Sequence, residues 1–329
     1  MSELPELPTA AELKVEEQQR ILNGEQSVGM FRVRTANKTI QDAALRPDPK
    51  RLWFSLWYEH ETCVFFADSN IGKSVYAVQI ASSIAEHQKV LYFDFELSDK
   101  QFQKRYSDES GHLHTFPENL LRVEVNPELL EIGQDFEKNV IKNIEDICLS
   151  TNAEVVVVDN VTWLCNASEK GEAAGTLMKA LLGLKTKYGW SILVLAHTPK
   201  RDMSRPITQN DLAGSKRLFN LFDSAFSIGW SAKDENLRYI KQLKIRSGSL
   251  EFGSENVILC CIEKTGSFLH FRHMGYASER EHLKEPNSKE RSALIDAIVR
   301  LKSEGKTYRD ISSDLKISIA TISRLLHTK

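Results

Sequence analysis

Residues 63–88 read CVFFADSNIGKSVYAVQIASSIAEHQ. The stretch opens as an apolar run, breaks at Ala67-Asp68-Ser69-Asn70-Ile71-Gly72-Lys73-Ser74, and turns amphipathic from there. A strand, a short loop ending Gly-Lys-Ser and a helix are the parts of a phosphate-binding loop, written G-x-x-x-x-G-K-[ST]. Such a loop aims successive backbone N–H groups at phosphate from a helix N-terminus, where unsatisfied donors and the dipole favour anions. In this chain alanine stands first and one glycine remains. Ala67 is the smallest side chain that can replace a glycine there. Asn70 stands where many such loops have another glycine, and asparagine reaches positive φ at low cost. Lys73 has the reach for β- and γ-phosphates and Ser74 the hydroxyl for Mg²⁺. Residues Ala67 to Val75 are therefore expected to hold ATP with Mg²⁺.

Outward from this loop, short β-branched runs alternate with longer amphipathic ones. The strand candidates are Thr62–Ala67, Val90–Phe95, Leu121–Val125, Glu154–Asp159 and Ser191–His197, with helical patterns over 73–87, 98–108, 134–149 and 172–188. Alternation of this kind predicts βαβ units and an α/β fold with a mainly parallel sheet. The run EVVVVD is apolar without alternation, as a strand buried on both faces should be. Phe226–Trp230, Tyr239–Ile245, Val257–Ile262 and Phe268–Phe271 read as an antiparallel extension. Residues 1–50 are polar, with two short helical patterns before Pro47-Asp48-Pro49, and read as an arm or cap. The remaining boundaries are 51–276 for the main domain, 277–287 for a linker and 288–329 for a small all-α domain.

The chain has 329 residues and a formal net charge of −2, so any nucleic-acid contact must come from a local patch. Its five cysteines, 63, 148, 165, 260 and 261, show no C-x-x-C spacing, which favours free thiols in a reducing compartment over disulfides or zinc. The acidic N-terminus lacks the apolar core of a signal peptide, and no apolar run approaches a membrane span. The expected location is cytoplasmic, with no membrane contact.

A phosphate loop needs an acid for the Mg²⁺ shell and a base for the attacking water. Asp159 ends its strand and is the candidate for water-mediated Mg²⁺ coordination. The next residue is Asn160, so the base must come from elsewhere. Glu96, at the carboxyl end of VLYFDFE, is the first candidate, because open α/β sheets gather their chemistry at those ends. Asp94 is the second candidate base, and either acid has a plainer reading as a helix cap. His197 ends the strand that follows the Asp159 unit and is expected beside the γ-phosphate as a sensor.

Taken in order, ADSNIGKS, VLYFDFE, VVVVDN, LVLAH and KQLKIRSG resemble the RecA-fold ATPases, most of all the RepA-like hexameric helicase branch. The resemblance covers about Trp53 to Phe271. It implies that Glu96 activates water, that Lys244 and Arg246 reach into a neighbouring subunit's nucleotide site, and that the chain forms a homo-oligomer, a hexamer in that branch. It also suggests that the loop TPKRDMSRPITQN, with Lys200, Arg201 and Arg205, faces a central pore and DNA. The alternative is a solvated basic loop.

The C-terminal segment from Ser288 reads as three helices, with Leu294, Ile298 and Leu301 on one face of the first. Ile311, Leu315, Ile317, Ile322 and Leu325 form the core of a helix-turn-helix pattern whose turn carries Lys316 instead of glycine. From Lys284 onward ten Lys/Arg stand against six Asp/Glu, a net +4 that suits DNA phosphates. Ser318, Thr321, Ser323 and Arg324 are the candidates to face a major groove. The alternative is a protein-docking module. Together these features predict an ATP-hydrolysing oligomer acting on single- or double-stranded DNA in the replication, mobilisation or recombination of a plasmid or mobile element. The alternative is an ATP-switched DNA-binding regulator without motor activity.

Overall fold

The computed structural model of the chain describes residues 25–129, 136–160, 172–199, 201–213, 216–285 and 288–327. Contacts divide the chain into residues 1–50 and 51–329.

In the first unit, β1 (Glu25–Val28) and β2 (Phe31–Arg34) pair as an antiparallel hairpin around Gly29, whose φ of 56° is one that glycine takes freely. Helix α1 (Ala36–Ala44) follows, with Thr35 as its cap, accepting from Lys38 N at 3.2 Å. One of the two expected helices is thus present, and the rest of that expectation falls on residues 1–24, outside the described residues. Phe31 and Val33 alternate with Arg32 and Arg34, a period of two that makes a strand.

In the second unit a short hairpin, β3 (Arg51–Trp53) and β4 (Trp57–Tyr58), leads into β5 (Thr62–Ala67) and α2 (Lys73–Ala85). The chain continues through β6 (Val90–Asp94), α3 (Asp99–Arg105), β7 (Leu120–Val123), α4 (Phe136–Thr151), β8 (Val155–Asp159), α5 (Glu172–Tyr188) and β9 (Ser191–His197). Then come α6 (Lys216–Leu221), β10 (Ser224–Trp230), β11 (Leu237–Lys244), β12 (Val257–Thr265) and β13 (Phe268–Ala277). The strands form one nine-stranded sheet in the order β13-β12-β11-β10-β5-β9-β8-β6-β7. From β10 to β7 the pairs are parallel. From β10 to β13 they are antiparallel. The mainly parallel α/β sheet with an antiparallel extension is therefore present.

The uniform apolarity of the central strands has a direct reason. In β8, Val155 and Val157 enter the core under α2, while Val156 and Val158 enter the core under α4 and α5. β5 divides in the same way, with Phe65 on one side and Phe66 on the other. A strand covered on both faces has no position for a polar side chain until it ends. Register then fixes the chemistry: Ala67 lies opposite His197, and Asp94 opposite Asp159, all at the carboxyl edge.

The C-terminal helices are α7 (Ser288–Ser303), α8 (Tyr308–Leu315) and α9 (Ile319–His327). Ile298, Leu301, Ile311, Ile322 and Leu325 are their buried core, with Leu294, Leu315 and Ile317 packed against it. Lys316 takes the left-handed conformation at the end of α8, φ 53° and ψ 39°, a position that glycine usually fills. No helix among the described residues is long and apolar enough to cross a membrane. Cys63, Cys148, Cys260 and Cys261 are free thiols, and Cys165 lies outside the described residues.

Candidate active site

The loop after β5 has the backbone its sequence calls for. Asn70 has φ 63° and Gly72 φ 102°, so asparagine does take a left-handed position. A Cβ on Gly72 would lie 2.5 Å from Ile262 Cδ1 and 2.9 Å from Phe271 Cζ, so conformation and packing both require glycine here. Ala67 is buried, and its carbonyl accepts from Thr198 N at 3.0 Å, which ties the loop's start to β9.

Four of the expected residues converge. The Lys73 ammonium donates to His197 Nδ1 at 3.1 Å, and His197 Nε2 stands 3.6 Å from Glu96 Oε1. Asn160, read in the sequence only as the place where a glutamate is missing, donates its amide to Glu96 Oε1 and lies 3.1 Å from His197 Nε2. The candidate base Glu96 thus sits just past the end of β6 and is held by the residue after Asp159. The hydrogen bond from His197 holds the Glu96 carboxyl below the usual carboxylate range against its partial burial, with Lys73 adding to the effect. Glu96 is therefore ionised, as a base must be. Burial draws Lys73 below the usual lysine range, and Asp159 and Glu96 push it back.

Asp94 does not compete for the base role. It is 3 % exposed, its Oδ1 accepts from Glu96 N at 3.1 Å and Leu97 N at 3.0 Å, and Arg122 Nε holds its Oδ2 at 2.9 Å. It caps the turn that delivers Glu96, while Ser98 and Gln101 form the box that starts α3.

Asp159 is buried at the floor of the site. Tyr92 donates to its Oδ2 at 2.7 Å, and its Oδ1 has no hydrogen-bond partner among the described residues. Burial pushes its carboxyl up to about 6, with the Ser74 and Tyr92 hydroxyls and Lys73 drawing it down. An orphaned carboxylate oxygen beside Ser74 fits a magnesium ion, which Ser74 and Asp159 would hold and which would supply positive charge at the phosphates. The raised carboxyl also bears on stability. A carboxyl held above its unfolded value favours folding fully below about pH 4, and the benefit is lost as pH rises through the folded value. At pH 7 the buried charge opposes folding, so Asp159→Asn should stabilise the nucleotide-free protein by roughly 2–3 kcal/mol while removing Mg²⁺ binding. Melting curves from pH 4 to 8 check this, and a gap between the two proteins that does not widen with pH would refute it.

Lys244 and Arg246 lie elsewhere. Lys244 pairs in register with Ala225, which pairs with Val64 near the start of β5, whereas the phosphate loop follows the end of β5. Lys244 donates to the Phe219 and Asn220 carbonyls, both at 3.3 Å, and Arg246 Nη1 meets Asp223 Oδ1 at 3.0 Å. Both cations are engaged with residues 219–223 rather than with the phosphate loop.

The basic loop after β9 is tied to its own chain at both described arginines. Arg201 has a side chain only 7 % exposed, 3.9 Å from Asp68 Oδ2, and it donates to the Arg205 carbonyl at 2.9 Å. Arg205 Nη2 donates to the Leu315 carbonyl at the end of α8, at 3.1 Å. Both arginines bind their own chain, Arg201 buried and Arg205 with its side chain 41 % exposed. Lys200 lies outside the described residues. In the C-terminal helices Ser318 is the cap of α9, accepting from Thr321 N at 3.0 Å, with the two hydroxyls 2.9 Å apart. Arg324 is exposed and Ser323 half-buried.

Sequence reasoning missed Asn160, Tyr92, Arg122 and Arg238. Arg238 alone carried a signal, as a cation near the start of an apolar strand, LRYIKQLK.

Residues 31–203, more than half of the chain, match the profile of an AAA domain. Among solved structures, a KaiC-like protein from the hyperthermophilic archaeon Pyrococcus horikoshii is similar at 13% identity, over 66% of this chain and 91% of that one, with a TM-score of 0.48. No curated protein matches the sequence.

Proposed function

The chain belongs to the AAA domain family, and on that premise we propose that it is an oligomeric ATPase of the RepA-like type acting on DNA, in the replication, mobilisation or recombination of a plasmid or mobile element. Nucleotide binding and hydrolysis come with the family. The observation that carries the reading is the meeting of Lys73, Glu96, Asp159 and His197 at one edge of the sheet, a set that suits hydrolysis once a neighbouring subunit's cation completes it. A pure nucleotide sensor has no use for an ionised, aimed base. Hydrolysis proceeds by Glu96 orienting and deprotonating water, Lys73 neutralising phosphate charge, and His197 linking the two.

The DNA part rests on the positive C-terminal bundle, read as a helix-turn-helix, and on its attachment to the main domain through Arg205. ATPase rate and particle mass, each measured with and without single-stranded DNA, test the whole reading. Stimulation by DNA and a hexameric mass are expected. A rate indifferent to DNA, from a chain monomeric at every concentration, would reject it.

Deleting residues 284–329 should leave ATP hydrolysis intact, weaken double-stranded DNA binding and flatten its salt dependence by about one unit of slope per lost phosphate contact. Equal affinities across a salt series would instead make the bundle a protein-docking module. One observation favours the reading as a switch without motor activity: Arg201 touches the phosphate loop at Asp68, and its neighbour Arg205 touches the bundle. Unwinding of a forked duplex separates that reading from a motor.

A further inference from the structure

Arg238 is a buried cation with no counter-charge. The residue is 8 % exposed, and no carboxylate among the described residues pairs with it. Its Nε donates to the Ile71 carbonyl at 2.9 Å and its Nη1 to the Asn236 carbonyl at 2.8 Å. The guanidinium carbon lies 4.3 Å from the centre of the Trp230 ring. The titratable neighbours that act on it are the Cys260 and Cys261 thiols, and burial draws the arginine below its usual range. Every other buried cation of this domain discussed above has an acid at hand: Lys73 has Asp159 and Glu96, and Arg201 has Asp68.

A buried charge without a partner is costly, and a fold retains one where something else supplies the partner. The position says what that is. Arg238 pairs in register with Trp230 at the end of β10, the same edge at which Ala67 ends β5. Ile71 O belongs to the peptide whose N–H is that of Gly72, inside the phosphate loop. A cation donating to that carbonyl polarises the peptide and strengthens its N–H as a donor toward an anion. It also places a full positive charge behind the loop in a medium of low dielectric.

We infer that Arg238 is a positioning residue of the nucleotide site, a fixed cation behind the phosphate loop whose missing counter-charge is the polyphosphate of the bound nucleotide. The inference rests on the ATPase reading and assigns a new residue to that site. It separates two roles a side chain here can have. If Arg238 only props the Ile71 carbonyl, a neutral donor of similar length does the same. If its charge matters, lysine substitutes better than glutamine.

The experiment measures MgADP affinity by calorimetry for the unaltered chain, Arg238→Lys, Arg238→Gln and Lys73→Ala, with melting in the absence of nucleotide as the check of folding. Arg238→Gln is expected to lose about ten- to a hundredfold in affinity, the range of a charge-assisted contact. Arg238→Lys is expected to lose clearly less affinity than Arg238→Gln, because it keeps the charge although not the guanidinium's stack on Trp230. Equal losses in the two variants, or full affinity in Arg238→Gln, would overturn the inference while the ATPase reading stands. An unaltered chain that binds MgADP no better than Lys73→Ala would bring down both. Should Arg238→Gln fail to fold, Arg238→Lys decides alone: a folded variant that binds MgADP more tightly than Lys73→Ala supports the charge, and a loss as deep as that of Lys73→Ala overturns it.

Discussion

Glu96→Gln protein will bind ATP about as tightly as the unaltered chain and release phosphate roughly 10²–10⁴ times more slowly, the range for a positioned general base. The glutamine side chain keeps the size of Glu96 and can still accept the Asn160 amide, so the network about His197 persists. What disappears is the proton acceptor, which in the native chain is ionised because His197 and Lys73 stand beside it. Asp94→Asn makes the contrast. That carboxylate bridges two backbone N–H groups and Arg122, so its loss falls on folding, by about 3 kcal/mol or more for a broken buried pair. Nucleotide affinity and single-turnover phosphate release, measured on both variants, decide between them. Normal turnover in Glu96→Gln would move the base elsewhere.

The sheet was legible because its strands are covered on both faces. Val155 to Val158 can only be a central strand, and Thr62–Ala67 and Ser191–His197 appear with the bounds their apolar runs mark. The phosphate loop was legible through its backbone demands, since Asn70 and Gly72 occupy conformations that few residues take. The partners of the site residues were not legible. Tyr92 meets Asp159 across β6 and β8, and Arg122 meets Asp94 across β7 and β6, contacts set by strand order rather than by spacing along the chain. Asn160 was visible as a residue, but its role depends on where Glu96 arrives from another strand. The hairpin at Glu25–Arg34 escaped because two four-residue strands give too few alternations to stand out from helical spacing. In the sequence, Lys244 and Arg246 were assigned by resemblance alone. The fold gives them Asp223 and two carbonyls as partners, so a lack of local partners does not support that assignment.

Their placement supports it instead. Lys244 is level with Val64 and Arg246 meets Asp223 beside Thr62, so along β5 they lie three and five residues, roughly 10 and 17 Å, before Ala67, where the phosphate loop begins. In the proposed oligomer, cations so placed would serve the nucleotide of another copy of the chain. Releasing Arg246 for that purpose is cheap. Its side chain is 56 % exposed, so its pair with Asp223 is worth less than about 1 kcal/mol. Asp223 also keeps the Thr62 N–H at 2.9 Å and Lys185 at 3.0 Å when Arg246 leaves. A γ-phosphate offers more charge than that shared carboxylate. Arg246→Ala should therefore fold and bind ATP nearly as the unaltered chain does and hydrolyse it about 10³–10⁵ times more slowly, as loss of an arginine finger does. Mixing it with Lys73→Ala protein should restore part of the rate, because a mixed oligomer joins a sound loop from one chain to a sound finger from the other. Phosphate release across a mixing series, with mass measurement confirming mixed oligomers, checks this. Mixtures as inactive as each variant alone, or a rate per chain that stays constant on dilution to monomers, would place the cations' role within their own subunit, as anchors of α6 and Asp223.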